Sequence, residues 1–301
     1  MNILLTGAIQ YTPEQLALLE DIGHKVYLLS DERNLIDDST VDFDLKKIDI
    51  VVGNQIFQYT PLSSFPNLKL IQATSSGLDR MPLTEIKQRG IIIKNAAAVY
   101  DLPIAEYVLA VILDHYKKLD QFHHQQRHKK WIKNRDMDEL AGQNALILGT
   151  GHIGSAVAKR LQAFDVRTTG LYHNHKPQKY FDRIQPMATL DQALPNADIV
   201  LLSLPETPDT LGIMNATRIA LLKTGTLLIN VSRGSLVDQD ALVAYKKKAV
   251  LDVFKTEPLA ADDMLWEQKN IFITPHNAFI SRKNQARFFE LLLKNIKEYD
   301  L

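Results

Sequence analysis

NALILGTGHIGSAVAKRL (144–161) is the stretch on which the fold turns. An apolar run, NALILG (144–149), enters the glycine turn GTGHIG (149–154), and an amphipathic stretch, SAVAKRL, leaves it. A G-x-G-x-x-G motif alone is a weak signal, but between a strand and a helix it reads as a dinucleotide-binding turn. Gly149 permits the tight turn, Gly151 lets the backbone approach a pyrophosphate, and Gly154 allows close helix–strand packing. Thr150, His152 and Ile153 lie within the turn, and the N-terminus of the helix that follows has free N–H groups and a partial positive charge that suit phosphate.

The next strand, RTTGLY (167–172), runs into His173, Asn174, His175 and Lys176. Dinucleotide folds usually carry an Asp or Glu here for the adenosine ribose hydroxyls. No acid stands there, whereas Lys176 and a protonatable histidine would attract a 2′-phosphate. This reading favours NADP(H) over NAD(H).

Outward from the turn, short apolar runs alternate with amphipathic stretches, the signature of parallel sheets covered by helices. Strands are expected at 2–8, 25–30, 49–53, 68–74 and 91–95, then at 144–149, 167–172, 198–204, 226–232, 250–254 and 271–276. Their nearly unbroken apolar character suggests burial on both faces. One long helix is expected from Asp101 to about Lys130 with Pro103 in its first turn, and an amphipathic helix over 281–299 ends the chain.

Composition narrows the function. The chain has 301 residues, and its 35 Lys+Arg balance 35 Asp+Glu, so it lacks the basic surplus usual in a nucleic-acid binder. With Cys 0, there is no disulfide scaffold, thiolate zinc site or cysteine nucleophile. The opening MNILLTGA lacks the features of a signal peptide, and no apolar run approaches a membrane span. A cytoplasmic enzyme that binds neither nucleic acid nor membrane is the expectation. The run HHQQRHKK (123–130) reads as a solvated helix face rather than a metal or nucleic-acid site.

Four motifs stand in order: GTGHIG, NVSRGSLVD (230–238), LDVFKTEPL (251–259) and ITPHNA (273–278). With SSGLD (75–79), IAEYVLAVIL (104–113), Trp131 and LWEQKNIFITPH (265–276), they resemble the D-isomer-specific 2-hydroxyacid dehydrogenases over nearly the whole chain. Within that family the likeness is to glyoxylate/hydroxypyruvate reductases.

The residues themselves suit that chemistry. Reducing a 2-keto acid needs a clamp for carboxylate and carbonyl, a hydride donor and a proton donor. Arg233, in SRGS, offers a permanently charged guanidinium that binds such oxygens bidentately, and Gly234 beside it would let a ligand come close. His276 offers an imidazole, a group suited to proton transfer near neutral pH. Glu257, followed by Pro258, would hydrogen-bond the other ring nitrogen and fix its tautomer. All three fall at or just after carboxyl ends of expected strands, where ligands bind in such sheets. Singly, each has a plainer reading as a salt-bridge partner, a core histidine or a loop carboxylate.

The resemblance implies more. Asp252 would receive the nicotinamide carboxamide, backbone around Ser76 and Gly77 would bind the substrate carboxylate, and Leu204, Pro205, Thr210, Ser232 and Ala278 would lie along the cofactor. The segment 123–130 would form an arm embracing a second subunit, making a homodimer. The fold implied is α/β, with two doubly wound parallel-sheet domains and a cleft between them. A Rossmann-type cofactor domain (100–278) is inserted into a flavodoxin-like substrate domain (1–99 and 279–301).

Several positions depart from the family pattern. Phe279 is bulky, Tyr100 stands for the usual Asn, and AAA (96–98) for a Pro-Gly pair. The segment before Asp252 is about four residues short and lacks its customary Gly turn. Two other readings stay open: a formate dehydrogenase, which would carry Gln at position 257, and a non-catalytic dinucleotide-sensing corepressor.

Overall fold

Alternating apolar residues send successive side chains to opposite faces of a strand, and both faces are buried wherever helices cover them. The computed structural model describes residues 1–37, 39–173 and 179–299. It forms two compact units, Met1–Tyr100 with Ser281–Leu301, and Asp101–Ile280.

The first unit is built on five strands, β1 (Asn2–Thr6), β2 (Lys25–Leu29), β3 (Ile50–Gly53), β4 (Leu70–Ala73) and β5 (Ile92–Lys94). All pairings are parallel and the order is β2-β1-β3-β4-β5, the flavodoxin-like arrangement. Alternation divides its core in two. Leu4, Val51 and Ile71 pack with Ile56, Phe65 and Ile86 on one face. Ile3, Leu5, Ile50, Val52 and Leu70 pack with Phe288, Leu292 and Ile296 on the other. The latter three come from the C-terminal helix Asn284–Tyr299, so the chain's last element closes the face opened by its first strand. A buried hydrogen bond of 2.6 Å from Asn295 Nδ2 to Gln72 Oε1 fixes that helix on β4.

The second unit has seven parallel strands: β6 (Asn144–Leu148), β7 (Arg167–Tyr172), β8 (Arg183–Pro186), β9 (Ile199–Leu202), β10 (Leu227–Asn230), β11 (Lys248–Leu251) and β12 (Ile271–Ile273). Their order, β12-β11-β10-β9-β6-β7-β8, reverses between β6 and β9. That is the Rossmann order with one strand added, and its crevice for ligands opens where the order reverses. GTGHIG leaves β6 at that point.

Three expectations need correction, and one departure from the family pattern finds its geometry. Burial on both faces holds for β3, β4, β9 and β10 but not for β2, whose edge position leaves Leu28 58% exposed. The strand β8 was not expected, because RIQP is short, partly exposed and ends in proline. The long helix begins at Ala97, so Pro103 lies inside it, and it stops at Lys117. Lys118 takes a left-handed φ of 48° before a second helix, Leu119–Arg127. Finally, the shortened segment before Asp252 turns without glycine, since Lys246 itself adopts φ 49° and β11 still pairs in register with β10.

Candidate functional site

The glycine turn has the geometry its sequence suggests. Gly149 has φ 104°, and a Cβ there would come within 2.7 Å of the Ser203 carbonyl oxygen. A Cβ on Gly154 would lie 2.0 Å from the Gly149 carbonyl oxygen, so only glycine lets the helix His152–Gln162 start this close to the turn. Ser203 Oγ donates to the carbonyls of Leu148 (3.1 Å) and Gly149 (2.9 Å), pinning the turn to β9. Gly151 is different, because a Cβ there would point into open space. No side chain caps this helix, and the amides of Gly151, His152 and Ile153 donate to no acceptor among the described residues. An open, uncapped cradle of amides fits a pyrophosphate. Thr150 is buried, its methyl facing Gly170 of β7.

Of the residues after β7, His173 is exposed, while Asn174, His175 and Lys176 lie outside the described residues. Leu204 is buried at the end of β9. The hydroxyl of Thr210 donates to the Pro205 carbonyl at 2.7 Å and accepts the Thr207 amide at 2.8 Å, so this side chain shapes the loop 205–210 from within.

The ends of β10, β11 and β12 carry the charged set. At the end of β10, buried Asn230 turns its side chain onto the loop that follows, accepting the Ser232 amide (3.1 Å) and donating to the Arg233 carbonyl (2.8 Å). Ser232 Oγ donates to the Leu202 carbonyl at 2.9 Å, and Arg233 Nη1 to the Ser232 carbonyl at 2.8 Å. Gly234 has a reason other than room for a ligand: a Cβ there would lie 1.9 Å from the Phe254 carbonyl carbon. The Arg233 loop therefore lies against the backbone of the Glu257 loop.

Glu257 bridges two partners. Its Oε1 accepts the Phe254 amide at 2.9 Å, and its Oε2 lies 2.8 Å from His276 Nδ1. The imidazole is about one-third exposed (36%), so Nε2 remains available for exchange with a ligand or water. Phe279 meets the His276 ring edge-on at 5.6 Å. His276 has φ 51°, an uncommon backbone for a residue with a Cβ.

Asp252 holds this conformation. It is 1% exposed, and its Oδ1 accepts Thr274 Oγ1 (2.6 Å) and the Asn277 amide (2.8 Å). Its Oδ2 accepts the Ala278 amide at 3.0 Å, and its carbonyl accepts the His276 amide at 2.8 Å. Sequence reasoning did not mark Thr274, Asn277 or Asn230 as supports. Their signal was adjacency to the charged residues within the same motifs, not any pattern of their own.

Ser76 and Gly77 belong to the other unit, in the loop after β4. The Ser76 carbonyl accepts Asn95 Nδ2 (2.9 Å) and the Gly77 carbonyl accepts Ser75 Oγ (2.7 Å), whereas the amides of Ser76 and Gly77 find no acceptor among the described residues. The carbonyls are engaged and the amides are open.

The model for the D-isomer specific 2-hydroxyacid dehydrogenase NAD-binding domain matches residues 109–278. The chain belongs to the D-isomer-specific 2-hydroxyacid dehydrogenase family. It is 29% identical over 299 residues to a hydroxypyruvate reductase of Blautia hydrogenotrophica, covering 93% of this chain and 90% of that one. A glyoxylate reductase of Thermofilum pendens is 32% identical over 248 residues, 78% of this chain and 73% of the relative. Among solved structures, an NADPH-dependent glyoxylate/hydroxypyruvate reductase of Sinorhizobium meliloti, crystallised with NADP and malonate, aligns with TM-score 0.79 and 25% identity over 99% of this chain and 93% of that one. The dehydrogenase is thus an NAD(P)-dependent oxidoreductase of 2-hydroxy acids. No helix among the described residues is long and apolar enough to cross a membrane.

Proposed function

We propose that this dehydrogenase reduces a small 2-keto acid of the glyoxylate, hydroxypyruvate or pyruvate type to its D-2-hydroxy acid, with His276 as acid–base group. The observation that carries the reading is the 2.8 Å contact between His276 Nδ1 and a Glu257 whose other oxygen is already tied to backbone. A carboxylate on Nδ1 keeps the proton there and leaves Nε2 to give or take the proton of the reaction. Gly149, Thr150, Gly151, His152, Ile153 and Gly154 hold the dinucleotide phosphates, with Leu204, Pro205, Thr210 and Ser232 along its length and Asp252 and Ala278 near its carboxamide. When bound, the reduced nicotinamide supplies the hydride. Arg233 clamps the substrate's carboxylate and carbonyl oxygens, a geometry a planar guanidinium matches. In the first unit, the open amides of Ser76 and Gly77 are proposed as donors to a carboxylate. His276 delivers a proton to the carbonyl oxygen as negative charge develops there.

NADP(H) is the proposed cofactor over NAD(H). The reason is the run His173, Asn174, His175, Lys176, which is without an acid where a ribose-binding carboxylate would stand. A homodimer is proposed from the segment after the helix Leu119–Arg127, where Trp131 is 96% exposed and Ile132 59%. Beside them Phe122 lines an open groove of about 920 Å³. A cytoplasmic location is proposed with it.

A panel of 2-keto acids followed at the nicotinamide absorbance band, with NADPH and NADH in parallel, tests the reading. Turnover of at least one small keto acid with a lower Michaelis constant for NADPH is expected. Silence across the panel contradicts the activity, and clearly tighter NADH contradicts the cofactor choice.

A further inference from the structure

Thr274 stands two residues before His276, and its hydroxyl is engaged on both sides. Its Oγ1 lies 2.6 Å from Asp252 Oδ1 and 2.7 Å from the phenolic oxygen of Tyr107. Asp252, acting as a carboxylate, can only accept, so Thr274 directs its single proton there. The Thr274 oxygen is then left to accept, which makes Tyr107 the donor. Burial pushes the Tyr107 phenol up to about 12, the bond to Thr274 opposing this and the Asp252 charge adding to it. It therefore keeps its proton throughout the neutral range. The chain ends on the carboxylate that accepts the amides of Asn277 and Ala278, while the Asp252 carbonyl accepts the amide of His276. A histidine at φ 51° persists only where its surroundings enforce that backbone.

We propose that Tyr107, on the helix Ala97–Lys117, is a positioning residue for His276, acting through Thr274 and Asp252. The proposal rests on the reading of His276 as the acid–base group and adds the element that holds its loop. Tyr107 touches neither substrate nor cofactor in this account. Its phenol supplies the outermost hydrogen bond of a relay that keeps the imidazole aligned.

Tyr107→Phe keeps the ring and removes only that outermost proton. With the best keto acid of the panel, kcat is expected to fall about three- to tenfold while KM for the keto acid stays within about twofold, because Arg233 is untouched. Thr274→Ser, which retains the hydroxyl, should restore wild-type kcat, and Thr274→Val should lose at least as much as Tyr107→Phe. Adding Tyr107→Phe to Thr274→Val should cost nothing further, since Tyr107 acts only through that hydroxyl. Unchanged kcat in Tyr107→Phe overturns the proposal, whether or not its melting temperature falls. So does a loss of equal size in both backgrounds. Thr274→Ala takes the place of Thr274→Val if the latter does not accumulate folded. Wild-type turnover in His276→Asn would instead overturn the site reading, and the relay with it.

Discussion

His276 and Gly234 show how single positions carry the site. The histidine sits in a left-handed backbone, a conformation worth about 1–3 kcal/mol of strain that the surrounding hydrogen bonds must hold in place. Gly234 answers a different demand, since any side chain there would overlap the Phe254–Lys255 backbone. Gly234→Ala should therefore push the Arg233 loop away from the Glu257 loop. We expect a destabilisation of roughly 2 kcal/mol or more and loss of turnover, read as a lower melting temperature and a lower kcat. A variant with wild-type melting and rate would show that the two loops do not constrain one another. At this scale the charged residues were legible because Arg, Glu and His stand in dense motifs at strand ends. The supports were not: Asn230 and Thr274 are small polar residues whose meaning comes from neighbours far away in sequence.

At the scale of elements, the two sheets share a device at their amino-terminal edges. Asn2 opens β1, and its amide donates to Asp49 at 2.9 Å, with Lys69 2.9 Å from the same carboxylate. Asn144 opens β6, and its amide donates to Asp198 at 2.8 Å, with Lys223 at 2.5 Å. Burial would raise both carboxyls, but these amides and lysines outweigh it and hold each below its ordinary value. A depressed folded-state pKa contributes stability above the unfolded value, and that stability is lost as pH falls through the folded one. Both contributions should thus be complete at neutral pH and be lost progressively as pH falls from about 4 through the lower folded-state values. Asp49→Asn and Asp198→Asn should each lower stability by about 1–2 kcal/mol at pH 7 and flatten the acid limb of denaturant melts. An acid limb as steep as the wild type's in both variants would contradict this. The sequence shows no repeat linking these two Asn–Asp–Lys sets, because each is spread over its unit and only strand pairing assembles it.

For the whole molecule, alternating apolar runs were enough to read two parallel α/β units. Strand edges, the added β8 and the break at Lys118 were not readable, because each depends on which neighbour a strand or helix finds. The C-terminal helix was legible as amphipathic, yet its partner, the face of Ile3, Leu5 and Leu70, is set only by the fold. Oligomeric state belongs to this scale. An exposed Trp131 beside Ile132 and Phe122 is costly surface for a lone chain, and a second copy is the proposed cover. Sedimentation velocity should give a species of twice 34.1 kDa, weakened by Trp131→Ala. A 34.1 kDa species at every micromolar loading would exclude the dimer.

His276, held by Glu257, is proposed to move the proton of the reaction. Its most direct test is His276→Asn, with cofactor affinity from nicotinamide fluorescence and turnover from absorbance on one sample. Turnover should fall by about 10²–10⁴ while the cofactor Kd stays within about twofold, because the glycine turn is untouched. A variant that binds cofactor and turns over keto acid at the wild-type rate would contradict the account.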